Sequence, residues 1–410
     1  MHILFLTDNF PPEGNAPATR TFEHVREWVR KGHKVTIITS APNFPEGKVF
    51  KGYKNKWLSK QKIEGINVWR VKTYITANEG SVKRTIDFLS FMFSSLLFGL
   101  FTRKVDLVVG TSPQFFTVVS AWALAKFKRV PFVFELRDIW PAAISALGAI
   151  RRIWVINILE RLEMFLYHKA DMIISVTHRF KSEIEKRGVS ADKIKVVLNG
   201  VDLEKYHPLL KKDEIFATKY DLKSKFVIGY IGTHGLAHGL ENVIEAAELI
   251  SKEDNIRIIF VGGGADRLRL ERMVCERGIK NIVMIPRQSK EKMPQIWSLC
   301  DISLVHLKDL PIFQDVIPSK IFESMAMGLP ILIAVPDGEA TNIVEKFKAG
   351  VKVPPEYPEE LSEEILKLGR DKDLVARLSQ QSLEAAKNFD RKQLALDMLY
   401  HLEELVSLRK

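Results

Sequence analysis

Cysteine is nearly absent from this sequence. Only Cys275 and Cys300 occur among its 410 residues, which excludes a disulfide-stapled scaffold and is typical of a reducing compartment. We also expect no signal peptide, because the opening "MHILFLTDNF" has no charged segment before its apolar residues and predicts a first strand. We therefore expect a cytoplasmic protein, and its length predicts two or three domains with large cores.

No apolar run has the length of a comfortable membrane span. The most apolar one, "IDFLSFMFSSLLFGLF" at 86–101, has sixteen residues and contains Asp87, whereas a spanning helix needs about 20. Basic pairs bound the run at 83–84 and 103–104. The pattern predicts either a core helix or an interfacial helix whose flanks bind anionic lipid.

Acidic residues are the minority charge. There are 50 of them against 61 lysines and arginines, which gives a net charge of +11 and a pI near 9.4. This surplus predicts either a solvated lysine-rich surface or a face for anionic lipid, nucleic acid or a phosphorylated substrate. A nucleic-acid site would need clustered cations with exposed aromatics, and here the cations are spread along the chain.

Short apolar runs alternate with helical patterns throughout the chain, which predicts βαβ units and parallel sheets covered on both faces. The runs of the first half are HILFLT, KVTIIT, INVWRV, VDLVVGTS, PFVFELRD, DMIISVT and KIKVVLNGVD. Those of the second half are FVIGYIG, IRIIFVGG, NIVMIP, DISLVHL and PILIAV. A polar, proline-bearing stretch from Tyr206 separates the two sets. We predict an α/β fold of two doubly wound, Rossmann-like domains, 1–205 and 206–390. A C-terminal helix at 391–410 would pack on either domain or cross back to the first.

Ligands of doubly wound sheets bind at the carboxyl ends of the strands, where the strand order reverses. Two such domains facing each other would place both sets of strand ends around one cleft. The sequence therefore predicts an interdomain cleft that brings two substrates together.

One glycine-rich loop lacks the cation that a phosphate site usually has. The loop "GTHGLAHGL", 232–240, joins a predicted strand to a predicted helix, where glycines let a phosphate approach the backbone. Its glycines and polar residues are Gly232, Thr233, His234, Gly235, His238 and Gly239. The two histidines would suit a metal only on a helix, which the glycines oppose. They are either phosphate donors or loop residues without a role.

The segment "DVIPSKIFESMAMGLPILI", 315–333, resembles the donor-binding signature of family 4 glycosyltransferases. Asp315 and Glu323 are separated by seven residues, and Gly328-x-Pro330 follows. "GVSADKIKVVLNGVDLEKYHP" and "GHKVTIIT" resemble the same family, so the resemblance covers nearly the whole chain. "NFPEG", "ELRDIWP" and "PSKIFE" are most similar to bacterial O-antigen and capsule enzymes of the L-fucosamine-transferase type. The resemblance implies the GT-B fold and retaining transfer from a nucleotide diphosphate sugar.

The resemblance also implies roles within this segment. Glu323 would accept both ribose hydroxyls, and Asp315 would reach hydroxyls of the transferred sugar. Pro318 departs from the family, which commonly has glycine there, and cannot donate an N–H. Ser319 and Lys320 would supply a hydroxyl, a backbone donor and a cation to the diphosphate. Alternatively, Glu323 only complements a helix dipole, and Lys320 is a surface lysine.

The family typically carries an arginine and a lysine in the glycine-rich loop. Those positions fall near His234 and on His238 here, so Gly232 and Gly235 would give backbone access while His238 supplies a pH-dependent charge. An imidazole has an ordinary pKa of about 6.5, and contact with a diphosphate would raise it. This predicts that His238→Ala weakens donor binding more at pH 6 than at pH 8.

In the first half, the resemblance implies an acceptor side. Glu13 and Gly14 occupy the family's glycine-rich loop, beneath the donor phosphates and beside the acceptor. Arg20, on the following helix, would meet a phosphate or lie on the surface. Thr111, in "GTSPQFF", would contact the acceptor or merely turn the chain.

The motif "FELRDIWP" also ends a strand. The family commonly has His-Asp here, and this chain has Arg137-Asp138. Asp138 would orient the acceptor hydroxyl or contact the donor sugar, with Arg137 beside the acceptor. Alternatively, the two residues form a structural pair, or Asp138 caps a helix.

The resemblance therefore implies a retaining glycosyltransferase that needs no cofactor or metal. Its donor would be a UDP-sugar, including N-acetylated amino sugars, and its acceptor a glycan or a polyprenyl-diphosphate-linked sugar in the synthesis of capsule, O-antigen or lipopolysaccharide. It would act on the cytoplasmic face of the membrane. Two alternatives remain open: a UDP-sugar 2-epimerase, which would isomerise the donor without an acceptor, and a nucleic-acid-binding protein, which would bind DNA in a salt-dependent way.

Overall fold

The computed structural model describes residues 1–44, 46–76, 81–139 and 153–409, and the chain divides into two compact units. Unit 1 comprises Met1–Asn199 with Arg391–Lys410, and unit 2 comprises Gly200–Asp390. The second unit thus begins six residues before Tyr206, and the last helix belongs to unit 1.

Fourteen strands lie within the described residues. They are β1 (His2–Leu6), β2 (Lys34–Ser40), β3 (Leu58–Ile63), β4 (Ile66–Val71), β5 (Leu107–Thr111), β6 (Phe132–Leu136), β7 (Met172–Ser175), β8 (Ile194–Val196), β9 (Phe226–Thr233), β10 (Ile256–Gly263), β11 (Ile282–Pro286), β12 (Ile302–His306), β13 (Ile331–Ala334) and β14 (Gly350–Lys352).

Helices connect and cover these strands. Within the described residues they are α1 (Ala16–Arg30), α2 (Ser81–Leu100), α3 (Phe115–Lys128), α4 (Ile153–Lys169), α5 (His178–Lys186), α6 (Glu214–Lys219), α7 (Leu240–Leu249), α8 (Arg267–Glu276), α9 (Met293–Trp297), α10 (Lys320–Ala326), α11 (Glu339–Lys346), α12 (Pro358–Arg370), α13 (Lys372–Ala386) and α14 (Arg391–Ser407).

Unit 1 is built on an eight-stranded sheet of order β3-β4-β2-β1-β5-β6-β7-β8. Its strands pair in parallel except at one edge, where β3 runs antiparallel to β4. The weakly apolar "LSKQKI" of β3 was not predicted as a strand. Because β1 is flanked by β2 on one side and β5 on the other, the strand order reverses at β1, and the ends of β1 and β5 define the expected ligand edge.

Two helical layers cover this sheet. On one face, α2, α3 and α4 form an apolar core with the strands through residues such as Phe91, Leu124 and Leu166. On the other face, Trp28 of α1 packs with Met398 of α14. The Trp28 Nε1–H also donates to the Ala395 carbonyl at 2.7 Å, so the C-terminal helix completes the core of unit 1.

Unit 2 is built on a six-stranded sheet of order β11-β10-β9-β12-β13-β14, whose strands all pair in parallel. Strand β9 lies between β10 and β12, so the order reverses at β9. The loop predicted to face a phosphate therefore leaves the sheet at the expected position for a ligand.

The apolar run at 86–101 lies within α2 and its C-terminal end. One side of this helix is buried, with Phe91 at 1% exposure, whereas Phe93, Leu97 and Phe101 on the other side are at least half exposed. Among the described residues, none of the helices combines the length and the apolarity that crossing a bilayer requires.

Candidate active site

The candidate donor site lies at the carboxyl edge of the unit 2 sheet. After β9, the chain passes through a 3₁₀ turn at Leu236–His238 before α7 begins. The Lys308 N–H, just beyond β12, donates to the Ala237 carbonyl at 3.0 Å. This bond joins the loops that follow β9 and β12, the two strands where the sheet order reverses.

Lys320 is the charged side chain at the centre of this edge. It is only 9% exposed, and its Nζ lies 3.6 Å from the centroid of the Tyr230 ring. The Nζ has no hydrogen-bond partner in the described part of the chain. The Nζ also lies 3.1 Å from the position that a Cβ on Gly232 would occupy. The ammonium group is therefore held by an aromatic face, which attracts cations, and not by a carboxylate.

This environment makes Lys320 the pH-sensitive group of the site. Burial lowers the pKa of its ammonium to about 7, and the nearby Glu323 carboxylate only partly opposes the shift. An anion bound beside Nζ would favour the charged form. Lys320 can therefore gain a proton when an anionic ligand binds near neutral pH.

The two loop histidines stay neutral in this environment. Burial, followed by repulsion from Lys320, lowers the pKa of His238 to about 4. Burial, followed by Arg267 and Lys320, lowers the pKa of His234 to about 4 as well. The unliganded loop therefore gains no charge from His238 between pH 6 and 8, and the pH dependence predicted for donor binding by His238→Ala stays a prediction.

His234 and His238 also differ in position. The His234 side chain is fully buried, and its ring packs near Tyr230 and Phe260. His238 is half-buried, and its ring meets the edge of Tyr230. His234, His238 and Lys320 thus all lie against Tyr230, and His234 is the more deeply buried of the two histidines.

His306, which sequence reasoning did not identify, fixes the loop from the end of β12. Its Nδ1 lies 2.8 Å from the His238 carbonyl oxygen and its Nε2 3.0 Å from the Asn242 Oδ1. Because a carbonyl only accepts, Nδ1 carries the proton, and a neutral ring accepts at Nε2 when the Asn242 amide is flipped so that its NH₂ takes the place of Oδ1. Burial lowers the pKa of His306 to about 4, which agrees with that neutral ring.

A second glycine-rich loop follows β10 and was also missed. Gly262 has φ +149°, and a Cβ there would lie 1.8 Å from the Gly232 carbonyl oxygen. A Cβ on Gly264 would lie 2.3 Å from the His234 carbonyl oxygen. Only glycine permits this approach. The signal was present in "IRIIFVGGGAD", where glycines follow a strand as they do at 232.

The predicted sugar-binding carboxylates lie on the segments before and within α10. Glu323, in the first turn of α10, accepts a hydrogen bond from the Nε1 of the buried Trp297 at 3.1 Å. Asp315 ends a 3₁₀ turn at Pro311–Asp315. Gly338 packs against that turn so closely that a Cβ would lie 2.0 Å from the Gln314 carbonyl oxygen. The fold thus holds both carboxylates in defined positions.

Two further predicted residues precede α10. Pro318 is half-buried and Ser319 is exposed. Ser319 has helical backbone angles and makes no side-chain capping bond. Thr233, at the end of β9, is also exposed. These groups lie on the accessible side of the edge that carries Lys320.

In unit 1, Asp138 lies just beyond β6 at the carboxyl edge of that sheet. The buried Ser112 Oγ accepts the backbone N–H groups of Arg137 and Asp138 at 2.8 and 3.3 Å. Burial raises the pKa of Asp138 to about 6, against the effect of Arg137. Thr111, at the end of β5, is buried and donates to the Ser112 carbonyl. This arrangement holds a carboxyl group that titrates close to neutrality.

Two residues predicted for the acceptor are engaged by the fold itself. Glu13 accepts backbone N–H groups from Phe10, Asn43 and Phe44. Arg20 donates to the Glu135 carboxylate and to the Val197 carbonyl, just beyond β8. Neither side chain presents its polar atoms to the surface, since both are 3% exposed.

The remaining predicted residues of unit 1 are more accessible. Gly14 is exposed just before Asn15, the N-cap of α1. Arg137 is half-buried, and its guanidinium donates to the Pro17 carbonyl at 3.3 Å. Burial lowers the pKa of Arg137 to about 10, so its charge is retained at neutral pH.

Asp8 is a titratable group at this edge that the motifs did not indicate. Burial and the nearby Glu13 raise the pKa of Asp8 to about 8. Its Oδ1 accepts from the Asn9 amide at 2.6 Å, and Asn9 in turn accepts from Asn15 at 2.8 Å. The signal in the sequence was its position directly after the first strand.

Two family models match most of the chain. The family model described as "Glycosyltransferase Family 4" matches residues 18–205, and the one described as "Glycosyl transferases group 1" matches residues 211–385. The protein WcaI of Escherichia coli (strain K12), which carries an assignment as a colanic acid biosynthesis glycosyl transferase, is 28% identical over 370 residues. That match spans 88% of this chain and 90% of WcaI.

Solved structures show the same fold. A sucrose-phosphate synthase from Thermosynechococcus elongatus superposes with a TM-score of 0.76 at 16% identity, covering 99% of both chains. Anabaena HepE in complex with UDP-glucose superposes with a TM-score of 0.73 at 17% identity, covering 98% of this chain and 100% of that one. The two Rossmann-like sheets are therefore those of the GT-B fold.

Proposed function

We propose that this chain, which belongs to glycosyltransferase family 4, transfers a sugar from a UDP-sugar to a growing cell-surface glycan. The observation that carries this proposal is the unpartnered Lys320 ammonium beside Gly232, with Glu323 one helical turn away. A buried cation without a carboxylate partner is costly, so a fold retains it when a ligand supplies the anion. WcaI, with its assignment to colanic acid, supports a polysaccharide product, and HepE supports a UDP-sugar donor.

In the proposed donor complex, five of the predicted residues contact the donor. The diphosphate lies against the backbone of Gly232 and Gly235, and Lys320 neutralises it. Glu323 accepts the ribose hydroxyls, while its bond from Trp297 fixes the carboxylate orientation. Asp315 accepts from hydroxyls of the transferred sugar.

The proposed reaction breaks the bond between the anomeric carbon and the diphosphate, and the acceptor oxygen bonds to that carbon with retention of configuration. Lys320 stabilises the negative charge that develops on the departing diphosphate, a form of electrostatic catalysis. The departing phosphate oxygen takes the acceptor proton from the same face. Asp138 orients the acceptor hydroxyl and does not act as the nucleophile.

Donor binding provides the first test. We expect UDP-sugars, including an N-acetylated amino sugar, to raise the melting temperature, since a ligand at 100 times its Kd adds about 2.7 kcal/mol. Glu323→Gln should weaken binding roughly 10-fold or more, because a charged acceptor of two hydroxyls becomes a neutral one. Differential scanning fluorimetry with UDP-, GDP-, ADP- and dTDP-sugars measures both effects.

Glu276→Gln is the matched control, because Glu276 is exposed at the end of α8. It should bind donors like the wild type. If donors raise the melting temperature of the Glu323→Gln variant and of the wild type equally, Glu323 does not bind the donor. If the donor is isomerised in the absence of an acceptor, the enzyme is an epimerase and the proposed transfer is wrong.

The pH dependence of transfer provides a second test. We expect kcat/KM to rise through about pH 6 as Asp138 ionises and to fall above about pH 7 as the unliganded Lys320 loses its proton. Asp138→Asn should abolish the acid limb and lower the rate on the order of 100-fold. The exposed Asp192→Asn should leave the profile unchanged. If the acid limb of the profile persists in Asp138→Asn, it arises from another titrating group.

We also propose that unit 1 meets a membrane through the outer surface of α2, α3 and α4. These helices cover one face of the sheet, and each has large apolar side chains that are at least half exposed. They are Ile153, Trp154 and Ile158 on α4, Phe127 on α3, and Phe93 and Leu97 on α2. Apolar surface flanked by Lys and Arg is typical of interfacial binding. An acceptor linked to polyprenyl diphosphate would be presented at such a surface.

A further inference from the structure

A pocket of unit 1 lies at the amino edge of its sheet, opposite the carboxyl edge of the same sheet that carries Asp138. It has a volume of about 560 Å³ and lies where α3 and α4 end, before β6 and β7 begin. Its charged lining residues are Lys126, Arg129, Lys169, Asp171 and Arg409, and Trp122 supplies its largest aromatic side chain.

The carboxylate among these lining residues, Asp171, already has partners within the fold. Asp171 Oδ1 pairs with Arg409 at 2.9 Å, and Oδ2 accepts the Phe132 N–H at 2.8 Å. Its charge is therefore balanced within the fold. The three other cations, Lys126, Arg129 and Lys169, lie at the C-terminal ends of α3 and α4.

Aromatic rings lie beside two of those cations. Lys126 Nζ lies 5.6 Å from the Trp122 ring, and Lys169 Nζ lies 5.7 Å from the Phe165 ring. The Trp122 and Phe165 rings meet edge to face at 5.0 Å. Within the described residues, Lys126, Arg129 and Lys169 form no ion pair with a carboxylate, and all three are exposed. Their hydrogen-bond donors are therefore available to an anion.

The surroundings of the pocket indicate where that anion comes from. Phe127, adjacent to Lys126, is 70% exposed, and Phe165 belongs to the same helix as the exposed Trp154. An anion that binds here therefore lies beside a large apolar surface, as a lipid headgroup does next to its acyl chains.

We propose that this pocket binds the phosphate of an anionic phospholipid headgroup. The proposal rests on the membrane face inferred above and assigns it a specific headgroup site. Lys126, Arg129 and Lys169 donate to the phosphate oxygens. The apolar side chains of α3 and α4 contact the acyl region. The site fixes the orientation of unit 1 on the bilayer.

The test compares two triple variants of equal charge. The pocket variant is K126Q/R129N/K169Q, with asparagine at 129 because that residue has φ +58°, which asparagine tolerates. The control is K31Q/K34Q/K62Q, which removes three exposed lysines of unit 1 outside the pocket. Flotation is measured with phosphatidylcholine vesicles that contain or lack phosphatidylglycerol.

We expect the wild type to float with the anionic vesicles and the control to stay within about twofold of it. The pocket variant should lose about 100-fold in partitioning, from roughly 1 kcal/mol per cation. Equal losses in both triple variants would mean general electrostatic attraction, and flotation of the pocket variant like the wild type would mean no site. Either result overturns the proposal.

Soluble probes separate a lipid headgroup from free phosphate. Dihexanoyl phosphatidylglycerol below its micelle concentration should change the tryptophan fluorescence of the wild type but not of the pocket variant. Inorganic phosphate at the same concentration should have a much smaller effect, and an equal effect would overturn the lipid assignment. Donor thermal shifts, measured in the same variants, should not change. Absence of a donor shift in the wild type would reject the proposed transferase site and leave the lipid result standing.

Discussion

Replacing Lys320 with methionine is expected to stabilise unit 2 at neutral pH and to abolish transfer. Stability rises while transfer falls, because the buried ammonium group has a different effect on each. A buried ammonium group without an anionic partner lowers the stability of the folded chain, whereas the same group is needed when a diphosphate is present. A side chain that only supported the fold would lower both stability and activity when removed.

The sign of the stability effect follows from the lowered pKa. A lysine in the unfolded chain has a pKa of about 10.4, and in the folded chain burial holds the pKa of Lys320 at about 7. Between these values the unfolded chain binds more protons, so the penalty is fully present below about pH 7 and disappears as the pH rises towards 10. Methionine removes the penalty, which below pH 7 is about 4–5 kcal/mol, and its thioether can still contact the Tyr230 ring.

Calorimetry at pH 6.5 and pH 9.5 measures this effect. The melting temperature of K320M should exceed that of the wild type at the lower pH, and the difference should shrink at the higher pH. Transfer should fall on the order of 100- to 1000-fold, as when one donor to a developing oxyanion is removed. The control K280M changes an exposed lysine of the same unit and should alter neither quantity. A destabilised K320M would show that the lysine serves the fold.

Donor binding should also take up a proton at Lys320. At pH 8 the unliganded side chain is mostly neutral, and the bound diphosphate favours its charged form. Titration calorimetry in buffers of different ionisation enthalpy measures this uptake, which K320M should abolish.

The positions of these residues could be predicted from the sequence, but their environments could not. Alternating apolar runs and glycines placed Gly232, Asp138 and Glu323 at strand or helix ends, and those ends lie at the ligand edges of two sheets. Whether Lys320 is charged depends on its burial, and the ring that its Nζ packs against, Tyr230, lies ninety residues earlier in the chain. Such a contact leaves no periodic pattern in the sequence, so the pH-dependent charge was predicted at a histidine.

The same limit applies to Arg20. Its helical position is compatible with surface exposure or with a phosphate contact. The groups that bury it are Glu135, Val197 and Leu198, all more than 100 residues away in the chain. A local pattern cannot distinguish a ligand-binding arginine from one whose acceptors come from distant strands.

Replacing Arg20 with leucine is therefore expected to destabilise unit 1 by about 3–5 kcal/mol, the cost of removing one partner of a buried ion pair. The Arg20 Nε–H donates to Glu135 at 2.9 Å, with both side chains at most 3% exposed. Its other N–H groups donate to the Val197 and Leu198 carbonyls at 2.9 and 2.7 Å. R20L leaves a buried carboxylate and two carbonyls without these donors.

The loss should depend on pH. Burial alone would raise the pKa of Glu135, and Arg20 and Arg137 hold it below its ordinary value. This contribution to stability is present above the unfolded pKa, about 4.3, and is lost as the pH falls through the folded value. In R20L burial dominates, so the deficit relative to the wild type should be largest near pH 7 and smaller near pH 4.

Thermal unfolding of R20L, E135L and the double variant tests this account. If the ion pair is the cause, the double variant should be clearly more stable than the sum of the single losses implies. R30L is the control on the same helix, because the Arg30–Glu27 pair has a half-exposed arginine and should contribute less than about 1 kcal/mol. An R20L variant of normal stability with a raised KM for the acceptor would instead restore the acceptor-binding role that the family resemblance implied.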